Sequence, residues 1–214
     1  MRNVGGIAAL LAIAIPEAPL AENGVWSLDP ARTRVSFSVR GTLQRPRFGS
    51  QHLVVEEVKG EFTRTSARVR LDERDLSKSS VETTVEAASV DTHEAGRDQH
   101  LKSPEFLDVE RCPYLQFKST KVEGVEAGRL KVSGELTIRC TSKPVTFYGD
   151  LGAPTHDSEG TARRRFAAKV EINRRNFGVN WGNASEATPA VSDDVAIHIE
   201  AELVKAEGSP VESK

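Results

Sequence analysis

Ser89-Val90-Asp91-Thr92-His93-Glu94-Ala95-Gly96-Arg97-Asp98-Gln99-His100-Leu101-Lys102-Ser103-Pro104-Glu105-Phe106-Leu107-Asp108-Val109 is the one long break in an otherwise strand-like chain. On either side of it, apolar and polar residues alternate with period two, the pattern of half-buried strands. Inside it the pattern turns helical. Asp91 is placed to cap the new N-terminus, with Glu94 three residues on as the reciprocal carboxylate of a capping box. Ser103-Pro104 starts a second short turn, where the missing N–H of Pro104 costs nothing. With Phe106, Leu107 and Val109 behind it, this insert is sized to close one end of a β-barrel.

Upstream, Trp26-Ser27-Leu28-Asp29-Pro30 opens the folded part, and Val35, Phe37 and Val39 alternate with Ser36, Ser38 and Arg40. Gly41 to Ser50 reads as a loop, with Pro46, Gly49, Arg45 and Arg47. Strand character resumes from Leu53 to Phe62, where Gly60 suggests a bulge. Val69 and Leu71, then Val81, Thr83, Val85 and Ala87, form further inward rows. Downstream, Leu115 and Phe117 share a face, as do Leu136 and Ile138. Val145 and Phe147 follow, then Phe166, Ala168, Val170 and Ile172, and finally Val195, Ile197, Ile199, Ala201 and Leu203. Eight or nine alternating segments predict an all-β, antiparallel fold of one domain over residues 22–206. Closing such a sheet removes its vulnerable edges, and an eight-stranded barrel has room for side chains or one small ligand. A sandwich with a filled core has the same alternation.

The 214 residues are 28% charged with a net charge of −2, which gives no electrostatic footing for nucleic acid. Eight Phe against two Trp and two Tyr suit an apolar interior. Arg2 is the only basic residue before the apolar run Ile7 to Ile15, which has the length of a signal-peptide core and is too short to span a bilayer. Residues 1–21 therefore read as an export signal, although cleavage after Ala21 puts Pro19 at an unfavourable position. A retained N-terminal anchor is the competing reading. Residues 207–214 form a polar tail, and nothing in the mature chain reads as a stable membrane span.

Several motifs in order resemble the YceI-like proteins. Ala88-Ser89-Val90-Asp91-Thr92, Arg97-Asp98-Gln99-His100-Leu101-Lys102-Ser103, Phe106-Leu107-Asp108-Val109, Pro113 and Phe117-Lys118-Ser119-Thr120 look like that family's signature. Leu28-Asp29-Pro30 with Val35 to Val39, Gly134 to Ile138 with Lys143-Pro144-Val145, and Ile172-Asn173-Arg174-Arg175-Asn176-Phe177-Gly178-Val179 agree with it. The match runs over about residues 26 to 205. It implies a lipocalin-like antiparallel β-barrel of about eight strands with a short helical insert. It also implies a periplasmic or secreted bacterial protein that binds a polyisoprenoid or other long-chain amphiphile, without enzyme activity. Two departures stand out. The stretch between Phe37 and Phe62 is about ten residues longer than the family's usual, and Asn176 replaces a usual acid.

In a barrel, core and ligand cage share one face, so strand parity nominates Phe37, Val39, Val85, Phe117, Phe147, Phe166 and Val170 as the ligand wall. Arg40, Arg45 and Arg47 are candidates for meeting an anionic lipid head. No cofactor and no resident metal are expected. His93 and His100, seven apart with Glu94 and Asp98, would share a helix face. They are candidate metal ligands, of which catalytic zinc normally takes three from the protein, or the site of an enzyme acting on a small hydrophobic substrate. Against the metal set, the insert is short and contains Gly96, a poor basis for a fixed helical geometry. Scaffolding by Arg97 and Asp98, with His100 capping or packing, is the commoner use of such residues. The chain lacks a Gly-x-Ser-x-Gly nucleophile elbow. An interaction protein with a filled barrel is the third reading, and a homodimer is open. Cys112 and Cys140 flank a hairpin, but parity turns Cys112 outward and Cys140 inward. That argues against a bond unless Pro113 resets the first strand.

Overall fold

The computed structural model describes residues 24–47, 50–72, 74–125, 128–181 and 191–206, with the backbone alone for 42–47 and 50–55. The expected signal segment 1–21 and tail 207–214 lie outside these. In chain order the strands are β1 (Gly24–Leu28), β2 (Arg34–Arg47), β3 (Ser50–Phe62), β4 (Thr65–Leu71), β5 (Ser80–Glu86), β6 (Val90–Asp91), β7 (Tyr114–Gly124), β8 (Arg129–Ile138), β9 (Thr141–Leu151), β10 (Thr155–His156), β11 (Ala162–Asn173) and β12 (Val191–Lys205). Among the described residues one α-helix, α1 (Ala95–Lys102), interrupts them.

Neighbouring strands pair antiparallel in the order β11-β9-β8-β7-β5-β4-β1-β12, and β12 returns to β11 through an unbroken register from Arg163↔Val204 to Asn173↔Asp194. The result is a closed eight-stranded barrel. One edge of β12 is shared. Its C-terminal end pairs with β1 and its N-terminal part with β2. The step between β1 and β2 is a 3-10 turn, Pro30–Arg32, capped by Asp29, whose carboxylate accepts the Ala31 N–H at 3.1 Å. β1 then turns to β4, while β2 carries β3 and β6 outside the ring.

Two sequence expectations change here. The stretch read as a loop is strand where it is described: β2 and β3 stay paired from Val35↔Phe62 out to Arg47↔Ser50 at the tip of a hairpin, positions 48 and 49 lying outside the described residues. Pro46, which has no N–H to give a ladder, stands one pair from that tip. Nor does Gly60 mark a bulge, since Phe37↔Gly60 is in register. A Cβ there would lie 2.5 Å from the Phe37 ring. The same device recurs twice: a Cβ at Gly134 would meet the Phe117 ring at 2.7 Å, and one at Gly149 the Phe166 ring at 2.6 Å. Each Phe lies across a neighbouring strand where only hydrogen leaves room. A register shift does occur in β7, between Ser119 and Lys121, and it turns Val122 inward although Leu115 and Phe117 have odd parity; another lies in β12, between Val191 and Val195.

The buried side chains form a wall in three tiers. Trp26, Leu71, Ala162 and Leu203 line one end, Val122, Leu130, Val132 and Phe147 the middle, and Leu136, Ile138, Ile172 and Phe177 the other end. Fully burying side chains of Leu or Phe size stabilises by about 1.5–3 kcal/mol each.

Outside the first end, Arg163 ties three segments together. Its guanidinium donates to Asp29 at 3.0 Å, Glu202 at 2.9 Å and Asp157 at 2.9 Å. The Arg163 hydrogen bond, followed by the Thr161 N–H, holds the Asp157 carboxyl below its usual range. A carboxyl depressed in the folded state adds stability that is present above its unfolded pKa, about 3.9, and lost as pH falls through the folded value. We expect stability to decline on acidification below about pH 4. Asp157→Asn should flatten part of that decline in thermal melts between neutral and acidic pH. Equal slopes in both proteins would contradict the assignment.

Candidate functional site

The inner faces of the strands enclose an apolar cavity of about 170 Å³. Apolar cavities of about 150 Å³ stay dry and take up apolar guests. Four successive inward residues of β4, Thr65, Ala67, Val69 and Leu71, line it. At about 3.3 Å per residue that is a reach of about 20 Å along the strand. Of the seven residues nominated from parity, Phe37, Val85, Phe117, Phe147 and Phe166 line this cavity. Phe117 and Phe147 meet edge to face at 4.9 Å. Val39 and Val170 are not in the lining. Val39 pairs with Val58 and Val195 beyond the cavity, and Val170 is packed between the middle and far tiers of the wall.

One end of the barrel is covered by the helical insert. Glu94, not Asp91, caps α1: its carboxylate accepts the N–H groups of Gly96 at 3.0 Å and Arg97 at 2.6 Å. Asp91 instead accepts the His93 N–H at 2.7 Å, in a turn where His93 has φ 61°. The chain thus needs three more residues before the helix begins. Buried Thr92 anchors the insert. Asp98 accepts from its N–H and its hydroxyl, while Arg97 donates to its hydroxyl and carbonyl oxygens, both at 2.8 Å. Arg97 and Asp98 are therefore scaffold, as the commoner reading of the sequence had them.

His93 and His100 do not share a helix face, because His93 precedes the helix. His93 pairs with Asp91 at 3.3 Å. The His100 ring packs edge-on against Phe106 at 4.8 Å and Trp181 at 5.2 Å, and its Nε2 lies 3.1 Å from Glu105. Among the described residues no group of three His, Cys, Asp or Glu is arranged to hold a metal ion. Arg40 is exposed on the outer face of β2, and the side chains of Arg45 and Arg47 lie outside the described residues.

Three features of this end were not expected from parity. Cys112 and Cys140 form a disulfide, with Cα atoms 5.5 Å apart. Neither lies in a regular strand, so strand parity does not govern them. Cys112 is in the turn before β7, its N–H donated to the Asp108 carbonyl at 2.8 Å. Cys140, with Arg139, makes the two-residue β8–β9 turn, φ 55° and 48°, the left-handed pair of a primed hairpin turn. Arg139 donates to the carbonyl of Pro104 at 2.7 Å and to that of Gly178, bridging the insert to the turn after β11.

Arg174, only 6% exposed, completes the set. Its guanidinium donates to the carbonyls of Val179 at 2.8 Å, Ser192 at 3.0 Å and Val191 at 3.2 Å, and to Asp193 at 3.0 Å. Burial pushes its pKa down while Asp193 pulls it back up. Arg174→Met would strand three carbonyl acceptors, and a buried unpaired acceptor costs about 1–3 kcal/mol. We expect a loss of about 3 kcal/mol in urea denaturation on that basis. A variant within experimental error of the parent would show that water replaces the guanidinium.

A closed antiparallel barrel with an apolar interior and a helical cover over one end defines the class: a β-barrel built around an internal cavity. The model of the YceI-like domain matches residues 26–203, and the chain belongs to that family. It is 38% identical over 159 residues to a UPF0312 protein of Serratia proteamaculans, covering 74% of this chain and 80% of that one. Among solved structures, the YceI protein of Campylobacter jejuni superposes with a TM-score of 0.67 at 27% identity, covering 76% of this chain and 94% of that one. A polyisoprenoid binding domain from Saccharophagus degradans shares the fold, with a TM-score of 0.55 at 14% identity over 85% of this chain and 98% of that one.

Proposed function

We propose that the protein is exported and holds a polyisoprenoid or other long-chain amphiphile inside its barrel, as a binding protein rather than an enzyme. The observation that carries this reading is the apolar cavity within a closed hydrogen-bond ladder. A chain moved there from water gains about 0.8 kcal/mol per buried CH₂. Phe37, Val85, Phe117, Phe147 and Phe166 are its contact wall. The fold it shares with a polyisoprenoid binding domain is compatible with that cargo.

Native mass spectrometry of protein freshly purified from its own host, followed by extraction, tests the reading. The expected result is a mass excess that extracts as an apolar chain, on a protein whose N-terminus is near Glu22 and which fractionates outside the cytoplasm. Protein with no adduct, or with an intact Met1 end in the cytoplasm, would overturn the binding and the export readings respectively.

A further inference from the structure

The cavity wall is apolar with a polar exception. Thr33, Ser36, Thr65, Ser79, Thr83 and Gln116 are its uncharged polar lining residues, and the Ser79 hydroxyl is already used, accepting the Asp72 N–H at 3.0 Å. Thr33 and Thr65 differ: both Oγ1 atoms are shut off from solvent and have no hydrogen-bond partner. Leaving buried hydroxyls unpaired is unfavourable, so two in one wall need a reason.

They belong to one neighbourhood. Both line the cavity, and Val35, two residues beyond Thr33, pairs with Phe62, the last residue of β3 before the turn that leads into β4 at Thr65. That turn is held firmly: Thr63 donates its N–H to the Ser89 carbonyl at 3.1 Å, and Arg64 donates its own to the Ser89 hydroxyl at 3.1 Å. Phe37 and Phe62, with rings 5.7 Å apart, line the cavity beside them. No hydrogen bond holds either Oγ1 in place, and a step of about 120° in χ1 carries a threonine hydroxyl to another staggered position, its methyl moving with it. Either hydroxyl can thus swing from the wall to a guest.

The charge around the cavity limits what that guest is. Among the described residues Arg70 is the only charged lining residue, and it occupies an exposed, outward position of β4. Arg164 points inward on β11 but stands over the Trp26 ring at 6.0 Å, outside the lining. A phosphate drawn into this wall would be buried without a cation, at high cost. We infer that Thr33 and Thr65 form a polar subsite for one neutral oxygen, a hydroxyl or carbonyl, on an otherwise apolar chain, and that a phosphorylated head is not taken inside. This rests on the proposed burial of an apolar chain in the barrel.

The test uses the full chain stripped of lipid and three probes: geranylgeraniol, the matching hydrocarbon without the hydroxyl, and geranylgeranyl diphosphate. Affinities are compared by calorimetric titration. The parent should bind the alcohol roughly tenfold more tightly than the hydrocarbon, as one or two hydrogen bonds to an otherwise unpaired group provide. The diphosphate should bind more weakly than the alcohol. In Thr33→Val/Thr65→Val the alcohol should lose its advantage over the hydrocarbon, with a ligand-free melting temperature equal to or above the parent's, since two unpaired buried hydroxyls are removed. Thr33→Ser/Thr65→Ser, which keeps both hydroxyls, should keep the preference. An unchanged alcohol preference in the valine variant, or a diphosphate bound as tightly as the alcohol, would overturn the subsite while leaving the barrel a lipid holder. Failure of all three probes to bind the parent would overturn both.

Discussion

Val85→Trp should empty the barrel. Val85 is 7% exposed, lies on β5 between Thr65 and Leu115 of the adjacent strands, and lines the cavity just before the chain leaves for the helical insert. An indole placed there enters space that a guest would use. Overpacking a filled core costs about 1–3 kcal/mol, because side chains are forced off their rotamers. Here the neighbouring atoms already stand back around about 170 Å³, so that cost is largely avoided. The expected pair of results is loss of the co-purifying ligand and a nearly unchanged melting temperature. Retained ligand in the variant would mean that the guest binds elsewhere. A large fall in melting temperature, in a protein whose parent carries nothing, would mean that the cavity is a packing gap and the lipid-holding proposal is wrong.

What parity could and could not read follows from where each residue sits. Period two tells which face of a strand a residue occupies, and it located Phe37, Val85, Phe117, Phe147 and Phe166 because each lies well inside a paired segment. The same rule could have found Arg164, which shares the parity of Phe166 and Ala168, and Thr65, which shares that of Val69 and Leu71. Polar residues were set aside there because inward rows are ordinarily apolar, and these are the rule's informative exceptions. Parity says nothing about depth, so Val39 and Val170 face inward without reaching the cavity.

Parity fails at turns. Cys112, Arg139, Cys140 and Arg174 are all off the regular strands, and their partners are 28 residues away across the disulfide, or groups of other turns and of the start of β12. No local periodicity encodes such contacts. The β2–β3 hairpin was missed for a different reason. Gly41 and Pro46 are loop-forming residues by composition, and cross-strand pairing from Gly41↔Glu56 to Arg47↔Ser50 overrode them. The cap of α1 shifted from Asp91 to Glu94 because Asp98 and Arg97 both bind Thr92, which keeps the chain extended through the position where Asp91 would have begun a helix.

Reducing the Cys112–Cys140 bond should cost about 3–4 kcal/mol of stability. The bond closes a chain loop with a sequence separation of 28 residues. On the loop-entropy account, opening a loop of that size returns about 3–4 kcal/mol of conformational freedom to the unfolded chain. The loss should be similar in Cys112→Ala/Cys140→Ala, measured by urea denaturation at neutral pH against the oxidised parent. The native barrel should survive, because its hydrogen-bond register does not pass through the disulfide, and Arg139 still bridges Pro104 to Gly178. The effect should therefore be uneven. Amide exchange should speed up in α1 and the turn through Asp108 more than in β8, since the insert loses its covalent tie while the ladder keeps its pairs. A titration of the oxidised, denatured protein should find no free thiol. Two free thiols, or a reduced protein as stable as the oxidised one with α1 exchanging at the same rate, would show that the cover is held by Thr92 and Arg139 alone.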